Sequence, residues 1–241
     1  MQEWLEMVRD LLPGTLPAVE YLERTAAAAR SAGFHPSETL PLVASCRDEL
    51  MSQFVADVDG VWGPPFLIGS LGGLVLTGVS GIGAAVGHAP DRGLRHFVAY
   101  VMAHVGIDSD GTPGRVRRPG QAHPSTACGA LTAFLAEVRS GGLRLEYDRL
   151  DPEMSLLRTR LAPALLSSGV PDLLGLTALA RDVALADLTE IGGMTGPGRG
   201  TVSVFTGIVV HGPDGADYVA PSLSEVRFPR HEDHGPTPLR W

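Results

Sequence analysis

Leu40-Pro41-Leu42-Val43-Ala44-Ser45-Cys46-Arg47-Asp48-Glu49-Leu50 is a short apolar run that ends at a cysteine and passes straight into charged sequence. Phe54 and Val58 follow at helical spacing, so the stretch predicts a buried strand handing over to a helix with one apolar side, with Cys46 at the junction. The same alternation recurs downstream. Gly73 to Thr77 reads as a strand and Ser80 to His88 as a helix; Phe97 to Ala103 reads as an apolar strand ending at His104; Ala127-Cys128-Gly129-Ala130-Leu131 starts a helix running to about Arg139. Strands alternating with helices predict an α/β fold with a mostly parallel sheet covered on both faces.

Outward from this centre, Trp4, Leu5, Val8, Leu11 and Leu12 sit at helical spacing ahead of Pro13-Gly14, and Val19 to Ala32 reads as a second helix. Residues 1–36 are therefore expected to be N-terminal helices, and 37–228 the α/β unit. Ser155 to Leu166 and Leu173 to Leu188 read as helices. Thr201 to Val210 and Asp217 to Ala220, joined through Gly212-Pro213-Asp214-Gly215, read as a C-terminal hairpin. Residues 229–241, rich in Pro, His and charge, are expected to be a loosely ordered tail; the His231-Glu232-Asp233-His234 run there, which with His211 offers metal-type donors, reads as solvated sequence.

Composition removes several classes of function. All 19 basic residues are Arg, against 27 acidic residues, for a formal charge of −8. Without Lys there is no phosphate-loop Lys, no Schiff-base Lys and no Tyr-x-x-x-Lys pair. The acidic balance argues against nucleic acid as a partner, Arg115, Arg117 and Arg118 making only a small basic patch. The first residues, with Glu3 and Glu6, do not resemble a secretory signal, so a cytoplasmic protein with reduced cysteines is expected. Between Asp59 and Asp91 no Asp, Glu or Arg occurs, but Pro64, Pro65 and glycines at 69, 72, 73, 78, 81, 83 and 87 argue for a buried strand, turn and helix rather than a membrane span. Leu74 to Ala85 looks like the Gly-rich turn of short-chain dehydrogenases. Its Thr77-Gly78-Val79-Ser80-Gly81 spacing is one residue short, however, and the glycines read as tight helix-on-strand packing.

Cys46, His104 and Cys128 all fall at predicted junctions, and the carboxyl ends of strands in an open α/β sheet face a common crevice. Two thiolates and an imidazole suit zinc, and three protein ligands leave a fourth position open, as in catalytic sites. Cys128 at a helix N-terminus would have its thiolate favoured by the helix dipole. From the residues alone, two buried inert cysteines with a satisfied histidine, or a Cys128–His104 nucleophile-base pair of a thiol hydrolase, stand beside the zinc reading.

Cys46-Arg47-Asp48-Glu49, Ala103-His104-Val105 and Cys128-Gly129-Ala130-Leu131, separated by a long loop, resemble the limiting-CO2-inducible B/C family of β-type carbonic anhydrases over about residues 40 to 140. That resemblance implies zinc held by Cys46, His104 and Cys128, and an adjacent Asp48–Arg47 dyad. It also implies a homodimer hydrating CO2 to bicarbonate, zinc lowering the pKa of water to roughly 7 to supply hydroxide. The chain departs from ordinary β-carbonic anhydrases at Leu50, where their dyad Arg would lie, and in the 24 positions from His104 to Cys128, where they have three. Asp48 could itself take the fourth zinc position in a resting state, and His88 or His123 could relay the released proton. A silent zinc-binding CO2/bicarbonate-binding or scaffold protein of the same fold is the alternative function.

Overall fold

The computed structural model describes residues 2–90, 95–118, 120–195, 200–213, 215–227 and 237–240. Along the chain come α1 (Gln2–Leu11), β1 (Leu16–Pro17), α2 (Ala18–Ser31), β2 (Thr39–Ala44), α3 (Ser52–Trp62), β3 (Phe66–Leu67) and α4 (Gly78–His88). After β4 (Arg95–Gly106), a minor hairpin of β5 (Arg115–Val116) and β6 (Ser125–Thr126) leads to α5 (Gly129–Ser140), α6 (Pro152–Ser168) and α7 (Leu173–Thr195). The chain then forms β7 (Gly200–His211), β8 (Asp217–Arg227) and β9 (Thr237–Pro238).

The main sheet runs β1-β8-β7-β4-β2-β3, with β9 also on β8. Strands β3, β2, β4 and β7 are parallel, while β8 returns antiparallel to β7 and carries β1 and β9 antiparallel. The mainly parallel α/β architecture matches the expectation. Central β4 is buried from Phe97 to Gly106 on both faces, which is why it reads as a continuous apolar run rather than an alternating one.

Strand alternation sends successive side chains of β4 to opposite layers. Tyr100 meets Tyr21 of α2 and Phe54 of α3 edge-on, with ring centroids 6.4 and 6.1 Å apart. Its hydroxyl accepts from Trp62 Nε1 at 3.1 Å and lies 3.2 Å from Thr25 Oγ1, so the polar end of this buried ring is satisfied. Val105 and Ile107 face the other way, into a cluster with Trp4 and Val8 of α1, Ile208 and Val210 of β7, and Leu173 and Leu174 of α7. Trp4 and Val8 are one helical turn apart, so α1 presents a single apolar stripe to the sheet.

Three expectations are corrected. Gly73 to Thr77 is not a strand: Leu71–Gly73 forms a 3-10 turn, and 74–76 follow without regular structure. Gly72 and Gly73 take φ of 69° and 81°, outside any strand geometry, and an ideal Cβ on Gly73 would lie 2.9 Å from the Met102 carbonyl oxygen. The parallel edge is instead the two-residue β3. Secondly, β4 does not end at His104, because its ladder to β7 continues through Gly106, paired with His211; His104 is a residue of the strand itself. Thirdly, the segment after Cys46 opens with a 3-10 turn over Glu49–Met51, N-capped by Asp48 through Leu50 N–H at 3.2 Å, before α3 begins.

The C-terminal hairpin is present and longer than expected, β7 and β8 pairing from Val202–Arg227 to His211–Asp217. In the expected tail, Thr237–Pro238 pair with β8, whereas His231 and His234 lie outside the described residues. Among the described residues, no helix is long and apolar enough to cross a membrane.

Candidate metal centre

Cys46 leaves the end of β2, His104 projects from β4, and Cys128 is the residue immediately ahead of α5. The structure brings the three together: Cys46 Sγ, Cys128 Sγ and a ring nitrogen of His104 lie within 4.8 Å of one another, and all three residues are buried. Glycine makes the approach of one wall feasible. An ideal Cβ on Gly69 would lie 2.1 Å from the carbonyl oxygen of Ser45, the residue preceding Cys46. Real Cβ atoms do not come so close, so the 66–70 segment can lie against this turn only as glycine.

The donor set fits a metal. The two sulfurs are 3.7 Å apart, too far for a disulfide and close to the ~3.8 Å edge of a tetrahedron with metal–sulfur distances of about 2.3 Å. His104 Nε2 is fully buried and has no hydrogen-bond partner among the described residues, an arrangement that costs free energy unless a ligand occupies the nitrogen. Its other ring nitrogen, Nδ1, is already engaged, 2.9 Å from His211 Nε2. Such outer engagement of the second nitrogen is what orients metal-binding imidazoles. Two sulfurs and one nitrogen suit zinc, and a three-residue donor set leaves the fourth position of a tetrahedral ion open.

The two thiols share a hydrogen bond. Hydrogen bonding with Cys128, helped by His104, holds Cys46 well below the ordinary thiol range in spite of burial. The same hydrogen bond, together with burial and the Cys46 charge, pushes Cys128 up. Backbone N–H groups of Ala130 and Leu131 at the start of α5 favour a Cys128 thiolate, as expected for a helix N-terminus, but the neighbouring sulfur outweighs them.

Asp48 stands over this cluster, its Oδ2 4.0 Å from His104 Nε2. Its other oxygen, Oδ1, accepts from Leu50 N–H and from Arg118 NH2 at 3.1 Å. Arg118 lies in the stretch between β5 and β6 and also contacts Glu49 and Ser125. This corrects the expected Asp48–Arg47 dyad. Arg47 is largely exposed and pairs with Glu153 at the start of α6, at 2.6 Å, because the turn that aims Cys46 and Asp48 inward leaves the intervening side chain outward. Sequence reading counted Arg118 only as part of a basic patch; its role needs the loop 107–127 to fold back over Asp48.

His211 was also missed. It sits beside His104 because β4 and β7 are parallel with His104 opposite Val209, which places residue 211 diagonally next on the same face. Of the histidines considered as proton relays, His88 is exposed with its ring against Phe66, centroids 5.7 Å apart, and His123 is exposed on the loop.

Comparison with known proteins agrees with this construction. The family model of Limiting CO2-inducible proteins B/C beta carbonic anhydrases matches residues 15–228. Among solved structures, PtLCIB4, a homolog of the limiting CO2-inducible protein LCIB, superposes with a TM-score of 0.85 at 25% identity, covering 98% of this chain and 99% of that one. The limiting CO2-inducible protein LCIB itself gives a TM-score of 0.74 at 25% identity, over 89% of this chain and 90% of that one. A search of curated protein sequences gave no match. With the Cys-His-Cys cluster at its sheet and the family model spanning nearly the whole chain, the protein belongs to the limiting-CO2-inducible B/C family of β carbonic anhydrases.

Proposed function

We propose that this protein is a zinc-dependent carbonic anhydrase that interconverts CO2 and bicarbonate. The observation that carries the proposal is the buried cluster of His104 with two thiols beside an Asp48 carboxylate held by Arg118, His104 Nε2 having no hydrogen-bond partner among the described residues. Cys46, His104 and Cys128 would hold the ion. Bound zinc would lower the pKa of water and so supply hydroxide at neutral pH. Asp48, beside the cluster, would accept a hydrogen bond from the nucleophile and orient it toward the substrate carbon. Arg118, donating to Asp48 Oδ1, fixes the direction of that carboxylate. Ordering of this kind lowers the barrier by positioning the nucleophile before the reaction begins. A homodimer belongs to the same reading, on the family resemblance, and a cytoplasmic location goes with two cysteines expected to stay reduced.

The test combines zinc per chain, by elemental mass spectrometry on protein purified under reducing conditions, with stopped-flow CO2 hydration. About one zinc per chain and hydration above the uncatalysed rate are expected. Zinc without hydration would replace the proposal with a silent zinc-binding member of the family; absence of zinc uptake by folded protein would overturn the metal reading itself.

A further inference from the structure

Arg118 is gripped at all three nitrogens of its guanidinium, and only one of those contacts has a part in the proposed reaction. NH2 donates to Asp48 Oδ1 at 3.1 Å, Nε donates to Glu49 Oε1, and NH1 donates to Ser125 Oγ. The acceptors come from two segments of chain. Asp48 and Glu49 are consecutive residues of the turn after β2, and Ser125 opens β6, three positions ahead of Cys128. The backbone of Arg118 is tied as well: its N–H donates to Gln121 Oε1 at 3.3 Å, and its carbonyl accepts from Gln121 N–H at 3.2 Å.

The bond to Asp48 cannot orient the guanidinium alone. It runs through a single nitrogen, whereas a guanidinium and a carboxylate fix each other's direction when two parallel N–H groups engage. About one such bond the rigid planar group is free to pivot. Glu49 and Ser125 remove that freedom by holding the other two nitrogens, and three acceptors, one per nitrogen, define both the plane of the group and its place in that plane. The Arg118 side chain is 21% exposed and that of Glu49 69%, so Glu49 closes the arrangement on its solvent side. Ser125 closes it from the loop. Val116 of β5 pairs opposite Ser125, so the hydroxyl and the guanidinium two residues beyond Val116 are carried by one small hairpin.

We propose that Glu49 and Ser125 are positioning residues that act through Arg118, together setting the angle at which its guanidinium meets Asp48. The consequence for CO2 hydration rests on the reading above; the grip on Arg118 stands without it.

The experiment follows hydrogen exchange of the Arg118 Nε–H group by nitrogen-15 NMR of the arginine side chains, its resonance identified by its loss in Arg118→Ala. Zinc content and stopped-flow CO2 hydration are measured on the same preparations. Glu49→Ala and Ser125→Ala should each speed the exchange about three- to tenfold, as expected for loss of one hydrogen bond to a charged group. Ser125→Thr, which keeps the hydroxyl, should retain the wild-type rate. In both alanine variants kcat should fall about 5- to 10-fold, with KM and zinc per chain unchanged. In an Arg118→Ala background neither substitution should cost anything further. An unfolding transition like that of the wild type would show that each variant is folded. The inference is overturned if either alanine variant keeps the wild-type exchange rate, or if its loss of kcat persists in the Arg118→Ala background, as a merely structural role would give. Faster exchange in protein that holds zinc but does not hydrate CO2 would uphold the grip on Arg118 and sink the hydration reading. Unchanged exchange in variants of a wild type that hydrates CO2 would do the reverse.

Discussion

Arg118 donates to the carboxylate of Asp48 at 3.1 Å across 70 positions of sequence, while Arg47, the covalent neighbour of Asp48, turns away to Glu153. The pairing separates two arginines that the sequence makes look interchangeable. Arg118→Ala is expected to cut CO2 hydration by roughly 10- to 100-fold by freeing the Asp48 carboxylate to rotate. Arg47→Ala, which removes only an exposed ion pair, is expected to leave the rate within about twofold and cost under about 1 kcal/mol of stability. Stopped-flow rates that ranked the two variants the other way would reject this assignment of the dyad.

Cys46→Ser removes one of three buried donors. Bound zinc and hydration are expected to disappear together, since two remaining protein ligands do not make a zinc site of useful affinity. Elemental analysis and stopped-flow assay on the same preparation check this. Retention of stoichiometric zinc would exclude Cys46 as a ligand.

Gly69→Ala tests the packing beneath the site. The added Cβ meets the Ser45 backbone, which has no flexible end to swing aside. A loss of roughly 1–3 kcal/mol is expected, read as a lower urea midpoint, together with weakened zinc binding because the displaced turn carries Cys46. Gly83→Ala in α4, where an added Cβ meets nothing within 4 Å, should be neutral or slightly stabilising.

Glu137 and Arg158 tie α5 to α6 through two hydrogen bonds, at 2.8 and 2.7 Å, and the guanidinium holds the Glu137 carboxyl below its ordinary range. A depressed carboxylate pKa stabilises the fold above the unfolded value, about 4.3, and that contribution fades as pH falls through the folded value. Glu137→Gln should therefore cost about 1 kcal/mol at neutral pH, with the gap to wild type closing in acid. Urea titrations at both pH values measure it; a gap that widened in acid would contradict the sign.

Much of the fold was legible because apolar runs such as Phe97 to Ala103 and junction residues such as Cys46 and Cys128 carry local signals. The run 73–77 misled, since apolar side chains around Leu74 and Val75 do not reveal that Gly72 and Gly73 adopt positive φ against β4. Arg47 misled for a similar reason: adjacency to Asp48 in sequence says nothing about which side of a turn a side chain leaves.

The α/β alternation, the absence of any lysine chemistry and the three metal-type donors are legible in the chain alone, because periodicity and residue type are local properties. Which groups surround those donors is settled by folding. Arg118 reaches Asp48 through a folded-back loop, and His211 meets His104 through the register of two parallel strands more than a hundred residues apart. Loop closure and strand register are set by the sum of many contacts across the core, so no short stretch of sequence encodes them.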